Sequence, residues 1–286
     1  MALRKDQIAR YSRQLILPEI GVGGQQRLLD ASALVIGAGG LGSPAAIYLA
    51  AAGVGTIGLV DSDAAELSNL HRQILHATQD VGRPKVDSGR DRLTALNPDV
   101  RVIARHERVL ATTARDLVRD YDVVLDGSDN FPTRYIMNDA CILESVPLIH
   151  GGVIRFEGQV TTIVPGRGAC YRCLFGEPPV AGEVPNCQEA GVVGAMAGIV
   201  GCLMAHEALK LLLGIGEPLI NRLLVIDGKT SRFREVPFRR DPACAVCGAN
   251  PVIREPLPPA EACPSALPRA GGDAEEIQAW RTSKSP

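Results

Sequence analysis

The fold is decided by residues 33–61, ALVIGAGGLGSPAAIYLAAAGVGTIGLVD. A short β-rich apolar run at 33–36 leads into the glycine-rich turn Gly37-Ala38-Gly39-Gly40-Leu41-Gly42. An Ala-rich helical run at 43–52 follows, packed by small side chains, and a second β-rich run at 56–60 ends in Asp61. This strand, turn, helix, strand order belongs to a parallel sheet covered by helices. Working outward, further strands are expected at 100–104 (VRVIA), 122–125 (DVVL) and 147–149 (PLI). Beyond Gly151 the runs at 158–164, 223–227 and 231–236, with turns at Pro165-Gly166 and Asp227-Gly228, read as an antiparallel continuation of the sheet. The expected fold class is therefore α/β: a Rossmann-like sheet, parallel in its first half and antiparallel after, with helices on both faces.

The chain has 286 residues, 46% hydrophobic and 22% charged, enough to bury a substantial core. Its net charge of -2 lacks the basic excess that holds a nucleic-acid backbone, so no nucleic-acid partner is expected. The N-terminus lacks a signal peptide's uninterrupted apolar stretch, and a cytoplasmic location is expected. The apolar run at 191–205 stops short of a spanning length before His206, Glu207 and Lys210, which predicts a buried core helix and no membrane partner. Residues 1–30 read as a separate N-terminal helical arm, with helical spacing at 7–17 and 23–29. Residues 250–286 are Pro-rich without hydrophobic period, and are expected to be a disordered or loosely docked tail.

The glycine-rich turn offers backbone amides and a helix N-terminus to an anion, and Asp61 stands where an acid accepts ribose hydroxyls. Together they point to an adenosine-containing ligand without separating NAD from ATP. The balance shifts with Ser68, Asn69, Arg72 and Gln73 in SNLHRQ, Lys85 in GRPK, and Asp129-Asn130 after the 122–125 run. All fall beyond expected strand ends, where open α/β sheets bind ligands. Two cations and a carboxylate suit a triphosphate with Mg²⁺ better than a nicotinamide.

Eight cysteines in a reducing compartment are read by spacing. Cys170-x-x-Cys173 and Cys244-x-x-Cys247 are two chelating pairs at zinc-ligand spacing, expected to form a closed structural Zn²⁺ site that clamps the late segment to the middle of the chain. Cys187 sits in a polar loop before the apolar helix, whose N-terminus would favour its thiolate. Cys141 and Cys202 read as small core residues and Cys263 as an exposed tail thiol. The histidines form no metal or triad constellation.

The strings RYSRQL (10–15), GAGGLGSP, VDSD followed by LSNLHRQ, GRPKV, LDGSDNFPTRY, GGVIRFEGQV and the two Cys-x-x-Cys pairs resemble the ThiF/MoeB/HesA family of adenylyltransferases, relatives of the ubiquitin-activating enzymes. The resemblance runs from about residue 6 to 250 and looks closest to the molybdopterin-synthase adenylyltransferase (MoeB) type, with the thiamine-pathway type nearly as close. It implies that 31–249 is an ATP-binding adenylation domain. It also implies that ATP activates the C-terminal glycine carboxylate of a small ubiquitin-like sulfur carrier (MoaD-type or ThiS-type), ready for thiocarboxylate formation. By the same resemblance Asp129 organises Mg²⁺, Arg72 and Lys85 neutralise the phosphates, Asn69 orients them, and Asp61 holds the ribose. Arg13 reaches the triphosphate from the neighbouring subunit of a homodimer, and Cys187 is the candidate for a covalent carrier link. Competing readings are an enzyme adenylating a non-protein group, such as a tRNA-modifying dehydratase, an NAD-dependent oxidoreductase, and an inactive scaffold subunit.

Overall fold

Strand β1 (Ser32–Ile36) buries every residue after Ser32, as a strand covered on both faces must. In the computed structural model, which describes residues 2–176 and 190–257, it lies inside a single eight-stranded sheet. The other strands are β2 (Thr56–Val60), β3 (Arg101–Arg105), β4 (Val123–Asp126), β5 (Leu148–Ile154), β6 (Glu157–Ile163), β7 (Arg222–Asp227) and β8 (Arg232–Pro237). Their order is β3-β2-β1-β4-β5-β6-β7-β8. Pairing is parallel from β3 through β5 and antiparallel from β5 to β8, as the sequence predicts.

Helices α1 (Lys5–Arg10), α2 (Ser12–Leu15) and α3 (Gly21–Asp30) precede the sheet, and α4 (Gly42–Ala52), α5 (Lys85–Leu96), α6 (Ala111–Val118), α7 (Phe131–Glu144), α8 (Tyr171–Phe175) and α9 (Gly194–Leu213) are set among the strands. One face of the sheet packs Leu49 of α4, Leu93 of α5 and Val200 and Met204 of α9. The other packs Leu117 of α6, Tyr135 of α7 and Tyr171 of α8. The small side chains of α4 let α9 cross it closely: a Cβ on Gly201 would lie 2.4 Å from the Leu41 carbonyl oxygen.

Three elements differ from the sequence expectation. The helical run at 7–17 breaks at Tyr11, whose ring is buried and whose hydroxyl accepts a 2.8 Å hydrogen bond from Asn97 Nδ2. Strand β5 does not stop at 149 but continues through Gly151 and Gly152, because the edge beyond β4 is taken up by β6 in antiparallel register. Helix α9 runs to Leu213, so it is long and apolar enough to cross a membrane, the one such helix among the described residues. It is nonetheless a core element, packed against α4, β5 and β6. His206 is exposed on it, while Glu207 is 3% exposed and accepts from Thr162 Oγ1 at 2.6 Å and Leu219 N at 2.8 Å. Lys210, one turn on, pairs with Glu207. Downstream of the strands, Ile253 is 4% exposed with its N–H on the Ala245 carbonyl.

Candidate active site

The chain runs from β1 outward to β2 and β3 and then returns to place β4 on the other side of β1, which opens a crevice at the carboxyl ends of these strands. Ile36 is level with Val60 and with Asp126, so three loops leave the sheet side by side. The first is the glycine-rich turn. Gly37 adopts φ +85°, and a Cβ on Gly42 would lie 1.7 Å from the Gly37 carbonyl oxygen, so only glycine lets the loop fold back onto the start of α4. Asp61 follows β2 and accepts the Ala38 N–H at 2.8 Å and the Asp63 N–H at 2.8 Å. Burial pushes its carboxyl above the ordinary range, with Lys85 opposing.

The polar residues singled out in the sequence converge on this loop. The Arg72 stem lies against Gly40, within 3.5 Å of where a Cβ would stand, and Gln73 Nε2 comes within 3.6 Å of the equivalent point on Gly39. Arg72 Nη1 donates to the Ser68 carbonyl at 3.2 Å, and Asn69 Nδ2 donates to Ser68 Oγ at 3.4 Å, so 68–73 forms one folded segment. Lys85 opens α5, is 5% exposed, and places Nζ 2.9 Å from Asp63 Oδ2. From the third loop, Gly127 packs against the glycine-rich turn, its notional Cβ 3.1 Å from the Gly42 nitrogen, and Asp129 projects exposed beyond it. Asn130 caps α7 through Oδ1, which accepts from Thr133 N at 2.9 Å, and turns Nδ2 toward Asp129 at 3.5 Å. Gln73 Oε1 and Ser128 Oγ are buried without a hydrogen-bond partner, an arrangement that suits a polar ligand.

Arg13 lies on α2, exposed, with no hydrogen-bond or ion-pair partner among the described residues. Its neighbour Gln14 donates to the Ala52 carbonyl at 3.1 Å, at the far end of α4 from the glycine-rich turn. A helix of that length spans about 15 Å at roughly 1.5 Å per residue, so Arg13 does not join the cluster within its own chain. Cys187 and Cys263 lie outside the described residues.

Sequence reading missed three buried residues. His76 bridges the glycine-rich turn and α5. Asp126, at the end of β4, accepts from Ser128 N at 3.0 Å and from His150 Nδ1 at 3.3 Å. Burial would raise the Asp126 carboxyl, but the His150 hydrogen bond and the Arg134 charge hold it below its ordinary range. Burial likewise lowers the His150 imidazole. The only signal was a histidine or acid at the end of an apolar run, which is equally the signature of a surface loop.

Behind this crevice the four thiols of Cys170, Cys173, Cys244 and Cys247 meet, all sulfurs within 4.8 Å of one another. The separations of 3.8 Å (170 to 173), 3.6 Å (170 to 244) and 3.4 Å (173 to 247) are close to the roughly 3.8 Å edge of a tetrahedron with Zn–S of about 2.3 Å. The sulfur neighbours, led by Cys173, push the Cys170 thiol up, and those led by Cys170 pull Cys244 down. Four thiols at this spacing are a donor set that fits zinc. The His150 ring packs edge-on against Tyr171 beside the cluster, 4.7 Å between centroids.

A family model describing the ThiF family matches residues 11–246, most of the chain and all of the crevice. The chain belongs to the ThiF family. Among its relatives in this family, it is 52% identical over 260 residues to the sulfur carrier protein adenylyltransferase of Thermus thermophilus, covering 89% of this chain and 96% of that one. It is 50% identical over 252 residues to the SAMP-activating enzyme E1 of Haloferax volcanii, covering 88% and 93%. It is 51% identical over 255 residues to the adenylyltransferase and sulfurtransferase MOCS3 of Sus scrofa, covering 89% of this chain but 56% of that longer protein. Among solved structures, E. coli MccB with ATP superposes with a TM-score of 0.74 at 25% identity, covering 83% of this chain and 74% of that one.

Proposed function

We propose that this chain is an adenylyltransferase that uses ATP to activate the C-terminal glycine carboxylate of a small ubiquitin-like sulfur carrier, releasing pyrophosphate and leaving an acyl-adenylate ready for thiocarboxylate formation. The observation that carries the reading is the meeting of the glycine-rich turn, Arg72, Lys85 and the Asp129 loop at the ends of β1, β2 and β4. The relatives named for sulfur carrier activation support the choice of substrate.

The chemistry suits this set of side chains. A terminal carboxylate has a pKa of about 3.3 to 3.7 and is already a nucleophile near neutral pH, so no general base is required. The obstacle is repulsion between the incoming anion and the polyphosphate. Arg72 and Lys85 offset that charge, the Gly39 and Gly40 amides cradle the phosphates, Asn69 and Ser68 orient them, and Asp61 holds the ribose. Asp129, with Asn130 beside it, would hold Mg²⁺, which supplies further neutralisation of the departing pyrophosphate when bound. Cys170, Cys173, Cys244 and Cys247 would hold Zn²⁺ with no open coordination position, a structural clamp and not a reactant.

Arg13 acts across a homodimer, because within one chain α4 separates it from the crevice. The reaction belongs in the cytoplasm, where the eight cysteines stay reduced.

The test is carrier-dependent ATP–pyrophosphate exchange with a panel of purified carriers ending in Gly-Gly. Exchange that depends on one carrier supports the reading. Binding of NAD without ATP, or exchange driven by a non-protein acid alone, overturns it.

A further inference from the structure

His76 has no place in the chemistry above, yet three parts of the crevice meet at its ring, which is 7% exposed. Nε2 lies 3.0 Å from the Ala38 carbonyl oxygen, and Nδ1 lies 3.0 Å from Ser88 Oγ. A carbonyl only accepts, so Nε2 carries the proton, while Nδ1 faces the Ser88 hydroxyl, which also reaches the Asp80 carboxylate. Burial, with the Lys85 charge adding to it, lowers the imidazole from its ordinary range, against the Ala38 hydrogen bond and the Asp61 and Asp80 charges.

Ala38 is the second residue of the glycine-rich turn, and its peptide groups are fixed from several directions. Its N–H donates to Asp61 Oδ2 at 2.8 Å, and its carbonyl accepts from His76 and, at 3.2 Å, from Ser43 Oγ. There is no cis peptide bond among the described residues. In a trans peptide the carbonyl and the following N–H point in opposite directions. Drawing the Ala38 carbonyl to His76 therefore turns the Gly39 N–H to the opposite side, away from the imidazole.

We infer that His76 is a positioning residue for phosphate recognition: by holding the Ala38 carbonyl it aims the Gly39 amide at the nucleotide, and through Ser88 it fixes this loop to α5, which begins at Lys85. The inference rests on the nucleotide reading of the crevice.

The full chain, as wild type and as His76→Gln, His76→Asn, His76→Phe and Ser88→Ala, tests it by ATP titration calorimetry, by KM for ATP and kcat in pyrophosphate exchange, and by thermal midpoint. The glutamine amide nitrogen reaches the Nε2 position, whereas that of asparagine falls near Nδ1. His76→Asn and His76→Phe are expected to weaken ATP binding about tenfold, the worth of one hydrogen bond, with a much smaller change in kcat at saturating ATP. His76→Gln is expected to stay within about threefold of wild type, and Ser88→Ala, which removes the hydroxyl that tethers the ring to α5, to weaken ATP by about threefold. Equal effects of Gln and Asn, unchanged ATP affinity in both, or losses that follow thermal midpoint and not donor position overturn the inference. If His76→Phe does not fold, the Gln and Asn pair decides; if those also fail, Ser88→Ala decides, an unchanged affinity counting against His76. A wild type that binds ATP but exchanges with no carrier refutes the carrier reading and still leaves the affinity ratios to judge His76. A wild type that binds no ATP overturns both.

Discussion

Arg72 and Asp129 reach the crevice from different loops: Arg72 Nη1 meets the Ser68 carbonyl at 3.2 Å and His71 Nε2 at 2.6 Å, and Asp129 meets, among the described residues, the Asn130 amide at 3.5 Å. Both are exposed or half-exposed and are held by neighbours in their own loops, not by an opposite charge, so they can turn to a ligand. Arg72→Ala and Asp129→Ala are each expected to fold as wild type and to lower pyrophosphate exchange by about 10² to 10³, the usual cost of deleting one charge-stabilising contact. Exchange within threefold of wild type removes the residue from its role. The buried histidines carry a pH signature. Both His76 and His150 are lowered from 6.5 by burial, so the unfolded chain takes up protons that the folded chain resists. Their contribution to stability is complete above pH 6.5 and is lost as pH falls from there toward the depressed folded values. Asp61, and Asp139 of α7, which is buried beside Arg172, are raised from 3.8 by burial and act with the opposite sign. The histidine share is therefore read as a difference. Urea midpoints of wild type between pH 7.5 and 5.5 should fall more steeply than those of His76→Gln, and parallel curves would contradict the neutral assignment.

Most elements, and the sheet's change from parallel to antiparallel, were legible because apolar runs bounded by Gly, Pro and Asp carry their own local instructions. What was not legible was set by partners distant in sequence. Tyr11 interrupts a helical pattern to bond Asn97, Gly151-Gly152 looks like a strand end but lies in mid-strand under Met204, and Glu207 reads as a polar helix position although it is buried against β6. The crevice was legible in its exposed charges and illegible in its supports, since His76, Asp126 and His150 look like ordinary loop residues until the strands are aligned. Helix α9 provides a test at this scale. Glu207→Ala strands the Thr162 hydroxyl and the Leu219 N–H in the core and should destabilise by about 2 to 4 kcal/mol in urea unfolding. A change below about 1 kcal/mol would mean that water reaches these groups. The cysteine cluster provides another. Cys244→Ser should release zinc, measured by metal analysis, and lower the thermal midpoint, while the ATP affinity of the surviving folded fraction is retained, because the cluster's thiols pack into the core with α6 and α7 and not with the glycine-rich turn. Protein purified without chelator that contains no zinc would overturn the assignment.

For the whole molecule, a homodimer with shared sites, as proposed above, predicts a definite yield of activity on mixing. Mixed and reassociated, inactive Arg13→Ala and inactive Asp129→Ala chains form half of their dimers as hybrids, each with one intact site assembled from the two good halves. About a quarter of wild-type exchange should therefore return on mixing. No recovery, with hybrid formation verified by mass, would place both residues in one chain's own site.

The sheet itself ends at β8, whose outer hydrogen-bonding groups meet no further strand among the described residues, and whose Arg232 and Arg234 stand exposed beside Pro237. Like charges brought edge to edge repel, and a proline interrupts the ladder that a stray strand would need. These three side chains thus disfavour the addition of a stray strand along this edge of the eight-stranded sheet.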